Sequence, residues 1–312
     1  MQLYKTRDFS AFFQDTFAFI KQNGGHFFKH FFIVNGLFVL LLMVLGYFFV
    51  TFYTEMVFGG LTQNDPNVMD DFINENSVLF LFVMILFLVA SILFGIFMYA
   101  FPVFYLKLYR IKGGKNFGTA ELITEYKENL SRLFIYVVCA ILLGIPLIMV
   151  FAVIVFVLFI TIIGLLVIPF VMAILMLFYY LALSEYLEGK MGIWDAFGYA
   201  WKLLSSKFFP AVACAGLFYL MSYIIQNVIT VIAYIFGLVQ LFTDSSGGNP
   251  DPEAVGGMMT VVMVISFIGG FLLGIFLNNI VLLNQGIIYH SLKEEVENIH
   301  TKDVIDQIGS GE

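Results

Sequence analysis

The sequence predicts an all-α, polytopic membrane protein with six transmembrane helices. Of its 312 residues, 61% are apolar and only 12% are charged, whereas a soluble chain has about 45–50% and about 25%. The apolar residues also gather in long stretches without Asp, Glu, Lys or Arg, at residues 30–54, 76–106, 133–184, 208–243 and 254–292. This composition excludes a soluble globular protein.

The stretches give the six spans in chain order. A helix needs about 20 apolar residues to cross the hydrocarbon core of a bilayer. Four stretches have room for one span each, whereas 133–184 contains 52 residues and has room for two. Pro146 and Pro169 lie inside these two central spans, where each predicts a kink. Because the first stretch begins far from Met1, no cleavable signal peptide is predicted.

All 15 Lys and Arg residues fall on one predicted side of the membrane. They precede span one, lie between spans two and three and between spans four and five, or follow span six. The charged residues of the other connections, 54–77 and 244–253, are all acidic. Short loops rich in Lys and Arg stay in the cytoplasm, so both termini are predicted to be cytoplasmic. Because no basic surface follows a fold face, a nucleic-acid partner is excluded.

The chain also repeats itself. A shift of 75 residues aligns YKENLSRLF at 126–134 with WKLLSSKFF at 201–209, and a shift of 106 aligns IKQN at 20–23 with YKEN at 126–129. Each copy pairs an amphipathic segment with a transmembrane hairpin and starts on the same side, which predicts same-direction repeats within one membrane domain. The predicted parts are repeat units at about 9–106, 115–187 and 190–290 and a cytoplasmic tail at 291–312.

Each repeat opens with a segment whose apolar residues recur at helical spacing. Bulky aromatic residues on one face and charges on the other are typical of helices that lie in the membrane interface. The residues predicted to face lipid are Phe13, Phe17, Ile20, Tyr126, Trp194, Phe197 and Trp201. The alternative is that these segments continue the spans as cytoplasmic extensions.

Two segments carry a resemblance to known families. Residues 196–209, with an aromatic-Lys step and a Ser-basic-aromatic exit into a span, resemble the membrane-domain families of glycerophosphoryl diester phosphodiesterases and related uncharacterised six-span bacterial proteins. The tail, from Tyr289 to Glu295 and at Ile305–Gly309, is similar to that of such proteins from Bacteroidetes. Some of these families carry a soluble phosphodiesterase barrel, whereas the longest soluble stretch here is about 30 residues. The resemblance therefore implies the fold and a location in a bacterial inner membrane, and it implies no catalytic residue.

The sequence predicts no catalytic, cofactor-binding or metal-binding residue. Ionisable groups in hydrocarbon are costly and mark functional sites. The uncharged stretches contain no Asp, Glu, Lys or Arg, so histidines are their only side chains that ionise near neutral pH. His26 and His30 would share a helix face, and with His290 on the same side they could hold a metal. The simpler interpretation is that these histidines contact headgroups and water. No Walker loop, serine elbow, CxxC pair or zinc motif is present.

Amides are the main polar groups of the spans. The candidate intramembrane polar cluster consists of Gln226, Asn227, Asn278, Asn279, Asn284 and Gln285. Asn278 and Gln285 are seven residues apart and share a helix face. Hydrogen bonds between helices contribute about 0.6–2 kcal/mol each. The amides of the cluster therefore either stabilise the packing of the helices or line a polar pathway.

The leading functional hypothesis is a non-enzymatic scaffold or lipid-contacting accessory protein. Its partners are membrane lipids, with a membrane-protein partner or a second copy of the chain also open, and no cofactor is expected. The alternative is a transporter or channel for a weakly polar or lipidic substrate that passes the amide cluster. A membrane enzyme is the third hypothesis and would depend on His26, His30 or Asp195.

Overall fold

The computed structural model describes residues 1–63, 68–244 and 252–300. Seven α-helices occupy these ranges. They are α1 (Phe9–Gln63), α2 (Val68–Ile111), α3 (Thr119–Phe159), α4 (Ile162–Glu188), α5 (Ile193–Ser206), α6 (Phe208–Asp244) and α7 (Pro252–Glu297). Six of them, all except α5, are long and apolar enough to cross a membrane. The prediction of an all-α protein with six candidate spans is confirmed.

Contacts divide the chain into two compact units. Unit 1 contains Met1–Val34, Ile96–Ser222 and Asn278–Glu312, and unit 2 contains Asn35–Gly95 and Tyr223–Leu277. The 14 basic residues that lie within the described ranges all belong to unit 1. We call the ends of the candidate spans that lie nearest to these residues the basic ends. The ion pairs described below lie at these ends.

The sidedness of the protein stays a prediction. Parts of the acidic connections that support it, at 64–67 and 245–251, lie outside the described residues, as does the tail from residue 301 onward. The proposed repeat also stays a prediction, although its three amphipathic segments are all described.

The first two amphipathic segments are continuous with spans. α1 runs without interruption from Phe9 to Gln63 over 55 residues, or about 82 Å at 1.5 Å per residue, and α3 likewise begins at Thr119 and continues to Phe159. Separate helices at these two places are therefore not observed, and the alternative of helical extensions describes them correctly.

Only the third copy forms a helix of its own, α5. It ends at Ser206, four residues before Pro210. Proline has no N–H to bond to the carbonyl of Ser206, and its ring would clash with that carbonyl. Pro210 therefore prevents α5 and α6 from forming one helix, whereas the first two segments have no proline at the corresponding place.

α3 and α4 form a tight hairpin within unit 1. Two residues, Ile160 and Thr161, separate the helices, and the Thr161 hydroxyl accepts a hydrogen bond from the Gly164 N–H at 2.9 Å. This bond satisfies one of the free donors at the start of α4. A Cβ atom on Gly164 would lie 1.8 Å from the Leu158 carbonyl oxygen, so the turn requires glycine there.

Aromatic side chains form much of the core of unit 1. Phe27 and Phe31 of α1 are fully buried and meet Phe101 of α2 at ring-centroid distances of 5.1 and 5.2 Å. Phe27 also contacts Tyr105 at 4.8 Å. Edge-to-face aromatic pairs of this kind add about 0.5–1.5 kcal/mol each beyond the burial of their area, so they fix α1 against α2.

Candidate functional site

A buried ion pair joins the basic ends of α4 and α7. The Lys293 ammonium lies 2.7 Å from Glu185 Oε1, and the two side chains are 3% and 1% exposed. Lys293 also donates a hydrogen bond to the Tyr289 hydroxyl at 3.1 Å. Desolvation of two charges is costly, so such a pair persists only when each charge is closely matched.

A second ion pair brings α2 to the same helix, α4. Arg110 Nη1 lies 2.8 Å from Glu188 Oε1, and Nη2 donates to Oε2 at 3.1 Å, which is a bidentate arrangement. Arg110 also donates to the Tyr4 hydroxyl at 2.5 Å. We call Tyr4, Arg110, Glu185, Glu188, Tyr289 and Lys293 the buried charge cluster.

The N-terminal segment covers this cluster. The Tyr4 ring lies 5.2 Å from the His290 ring, and burial raises the pKa of Tyr4 to about 12. The hydroxyl is therefore neutral at physiological pH and accepts the Arg110 bond without adding a charge.

Arg7 holds this segment in place. Its side chain is completely buried and forms an ion pair with Asp15 at 2.7 Å. Its guanidinium also donates to the carbonyl oxygens of Gln2, Leu3 and Lys5 at 2.8, 2.7 and 3.0 Å. One side chain thus folds residues 2–7 against the start of α1.

Sequence reasoning missed the buried charge cluster. Glu185 directly follows the uncharged stretch 133–184, and Lys293 directly follows the stretch 254–292. Both residues therefore lie just outside the predicted spans. The available signal was their position at two span ends predicted to lie on the same side, where opposite charges can pair.

The six predicted amides occupy different environments. Asn279, Asn284 and Gln285 are buried in the unit 1 part of α7. The Asn284 amide donates to the Thr16 hydroxyl of α1 at 2.9 Å and to Cys214 of α6 at 3.5 Å. These bonds join three helices, as expected of a packing contact.

The other amides bind more locally. The half-buried Asn278 amide lies 4.0 Å from the sulfur of Met98. Asn227 is exposed and donates to the Tyr223 carbonyl one turn earlier in its own helix at 2.8 Å. Gln226 is half-buried beside Gly274, in unit 2, whereas Asn278 belongs to unit 1.

The residues predicted to face lipid on α1 and α3 differ in how far protein covers them. Phe13 and Phe17 both pack on Phe218 of α6 with 5.4 Å between ring centroids, but Phe17 is still 40% exposed, and Ile20 is half-buried. Tyr126 is buried and donates to the Phe97 carbonyl at 2.6 Å.

The aromatic residues of α5 differ in exposure. Phe197 is buried, whereas Trp194 and Trp201 are 58% and 55% exposed. Periodicity identifies an apolar face but does not show whether lipid or protein covers it, since both are apolar environments.

The histidines bind protein groups. His26 lies 2.8 Å from the Tyr105 hydroxyl, His30 lies 2.6 Å from the Thr119 hydroxyl, and their Nε2 atoms are 3.1 Å apart. His290 instead donates to the Gly286 carbonyl at 2.7 Å. Among the described residues, no three His, Cys, Asp or Glu side chains are placed to hold a metal ion.

An apolar groove runs along the α3–α4 hairpin and has a volume of about 510 Å³. Its wall on α3 extends from Tyr136 to Ile148, its wall on α4 from Met172 to Tyr179, and Tyr99 of α2 also lines it. We call this feature the hairpin groove. Its α3 rim is open, because Ile141, Ile145 and Ile148 are each more than half exposed.

The three tyrosines of the hairpin groove present rings rather than hydroxyl groups. Tyr99 donates to the Met176 carbonyl at 3.2 Å, Tyr136 donates to the Tyr179 carbonyl at 2.7 Å, and Tyr179 donates to the Ala140 carbonyl at 3.3 Å. Because backbone carbonyls bind all three hydroxyls, the groove surface is almost entirely apolar.

Comparison of the chain with protein-family models, curated proteins and solved structures finds no match. The resemblance to glycerophosphoryl diester phosphodiesterase membrane domains therefore stays a prediction. What the structure supports directly is a polytopic membrane protein with a buried charge cluster and an apolar hairpin groove.

Proposed function

We propose that this protein is a non-enzymatic membrane protein that acts by binding lipid in the hairpin groove. The observation that carries the proposal is the groove itself, a concave and apolar surface on helices long enough to cross a bilayer. Its volume of about 510 Å³ lies within the range of about 300–1,000 Å³ that is typical of small-molecule sites.

The dimensions of the groove suit one acyl chain. From Tyr136 to Ile148 the α3 wall covers twelve residue steps, or about 18 Å at 1.5 Å per residue. One leaflet contributes about 15 Å of hydrocarbon to a bilayer. A chain in the groove contacts two helices at once, which adds dispersion contacts that a convex helix surface does not offer.

The buried charge cluster supports a structural role for the ionisable groups. Glu185 is paired with Lys293, and Arg110 is paired with Glu188. Lys293 and Glu185 are almost fully buried, and Arg110 and Glu188 are 24% and 12% exposed. Separating the members of a buried pair leaves a charge unmatched, so the pairs favour the arrangement in which their helices meet. In this proposal they stabilise the fold that presents the groove, and they take no part in chemistry.

Filling the groove is expected to reduce lipid retention. We expect Ala140→Phe, which places a ring in the groove, to lower the number of lipids retained by the purified protein about fivefold, equivalent to about 1 kcal/mol. Native mass spectrometry of the protein extracted with its own lipids measures this number. The matched control is Leu142→Phe, because Leu142 is exposed on the same helix and does not line the groove. Equal retention by both variants, or no retained lipid in the wild type, would contradict the proposal.

Transport is the second candidate function. The observation that favours it is Gln285, which is 1% exposed and whose side-chain oxygen accepts no hydrogen bond within the described residues. An unsatisfied buried polar group costs about 1–3 kcal/mol, so a substrate that donates a hydrogen bond to Gln285 would remove that cost.

Alanine variants separate transport from packing. If the protein binds lipid in the hairpin groove and transports nothing, these amides serve only to pack the helices together. We therefore expect Asn278→Ala and Gln285→Ala to lower the yield of folded protein. Glycerol is the flux probe, measured by light scattering from vesicles that contain the protein. Asn227→Ala is the control, since Asn227 is exposed. Wild-type glycerol flux that these alanine variants abolish at normal yield would favour transport instead.

A further inference from the structure

We infer that the hairpin groove belongs to a site for an anionic phospholipid whose phosphate group binds Arg132. This inference rests on the proposed function and adds to it the class of lipid and the residue that selects it. Three features support it: an arginine near the end of the groove that has no ion-pair partner among the described residues, the depth of that arginine, and the local charge.

Arg132 differs from the other two arginines of the chain. Arg7 is paired with Asp15 and Arg110 with Glu188, whereas Arg132 forms no ion pair or hydrogen bond with any side chain that the structure describes. Arg132 is half-buried. Among the described residues, its charge therefore has no ion-pair partner.

Arg132 lies close to the end of α4. A Cβ atom built on Gly189, the residue that caps α4 with a φ of 79°, would lie 2.5 Å from Arg132 Nη1. The guanidinium therefore lies beside the Gly189 backbone. Arg132 also lies four residues before Tyr136, the first groove residue of α3, so the two share a helix face.

The aromatic residues of α5 indicate the depth of this end of the groove. Phe197 stacks on Tyr136 with 5.8 Å between ring centroids, and Trp194 and Trp201 on the same short helix are exposed. Exposed tryptophans concentrate at the level of the headgroups. Arg132, one turn beyond Tyr136 toward the basic end, therefore lies where the phosphate of a lipid with its chain in the groove would be.

The chemistry of Arg132 selects an anion. A guanidinium donates two parallel hydrogen bonds to phosphate oxygens. Lys190, the residue after Gly189, is exposed and adds a second positive charge. Glu128, one turn earlier on α3, is exposed and forms no ion pair with Arg132. A basic residue near an anionic lipid surface contributes about 1 kcal/mol.

Lipid competition tests the assignment. The full chain is placed in nanodiscs of equal parts phosphatidylglycerol and phosphatidylcholine, and native mass spectrometry measures which lipid stays bound. We expect wild-type protein to retain phosphatidylglycerol preferentially, and Arg132→Ala to reduce that preference about fivefold. Lys112→Ala is the matched control, because it removes one positive charge from the exposed turn after α2 and should keep the preference.

The outcomes separate this inference from the proposed function. Retention of both lipids without preference, or a preference that Arg132→Ala leaves unchanged, would overturn the headgroup assignment while lipid binding stands. Absence of any retained lipid would overturn both. A wild-type dimer without lipid would show that a second copy of the chain covers the groove, which also overturns the assignment. Elution of each variant at the wild-type volume on size exclusion establishes that it is folded.

Discussion

Lys293→Ala is expected to destabilise the protein by about 3–5 kcal/mol, the cost of leaving one charge of a buried pair without its partner. Glu185 would then stay 1% exposed with no ammonium at 2.7 Å. The Tyr289 hydroxyl would also lose the hydrogen bond that Lys293 donates to it. The loss is measured by thermal or denaturant unfolding of the purified protein in detergent.

A second ion pair that also involves α7 provides the control, because Lys207 lies between α5 and α6 and pairs with Glu295 of α7. Lys207 lies 2.7 Å from Glu295, but these side chains are 27% and 36% exposed. Exposed pairs contribute about 0–1 kcal/mol, so Lys207→Ala should cost at most about 1 kcal/mol. Similar losses for Lys293→Ala and Lys207→Ala would show that the Glu185 pair is not desolvated.

Removal of both buried charges should be less harmful than removal of one. In Glu185→Leu combined with Lys293→Met, apolar side chains of similar volume replace the pair and no charge stays unmatched. Replacements of this kind are often neutral or stabilising, so the double variant should recover most of the loss. A double variant as unstable as Lys293→Ala would indicate that shape, rather than charge pairing, determines stability here.

Arg7→Met is expected to release the N-terminal segment from the fold. Arg7 makes one ion pair and three bonds to backbone carbonyls, and bonds to charged groups contribute about 1.5–3 kcal/mol each, although they do not add simply. We expect a loss of about 3 kcal/mol and rapid hydrogen exchange over residues 2–8. Lys5→Met removes the same charge from an exposed side chain and should leave exchange unchanged. Slow exchange in Arg7→Met would mean that Tyr4 and its contacts hold the segment by themselves.

The composition of the chain was sufficient to predict its class and its helices. Uncharged stretches of 25 residues or more follow from the thickness of a bilayer. Four of them each became part of one long helix, and 133–184 supplied parts of two, α3 and α4. Pro210 explains the one amphipathic segment that forms a separate helix, and it is visible in the sequence. The same reasoning could have predicted that α1 and α3 continue, since neither contains a proline at the corresponding place.

The functional surfaces could not be predicted in the same way. Whether Phe197 or Trp194 faces lipid depends on which neighbouring helix lies beside α5, and a helical period does not carry that information. The hairpin groove depends on the approach of Tyr136 to Tyr179 across α3 and α4, 43 residues apart. The pairing of Glu185 with Lys293 depends on the ends of α4 and α7 lying side by side at the same depth in the membrane.

The spacing of that pair along the chain has a consequence for biogenesis. Lys293 lies 108 positions after Glu185, so at about 5–20 residues per second it leaves the ribosome roughly 5–20 s later. During this interval the carboxylate has no ammonium to meet, which disfavours closure of the bundle around it. Synthesis of α7 supplies that ammonium, so the Glu185 carboxylate gains its partner only when the last candidate span has been made.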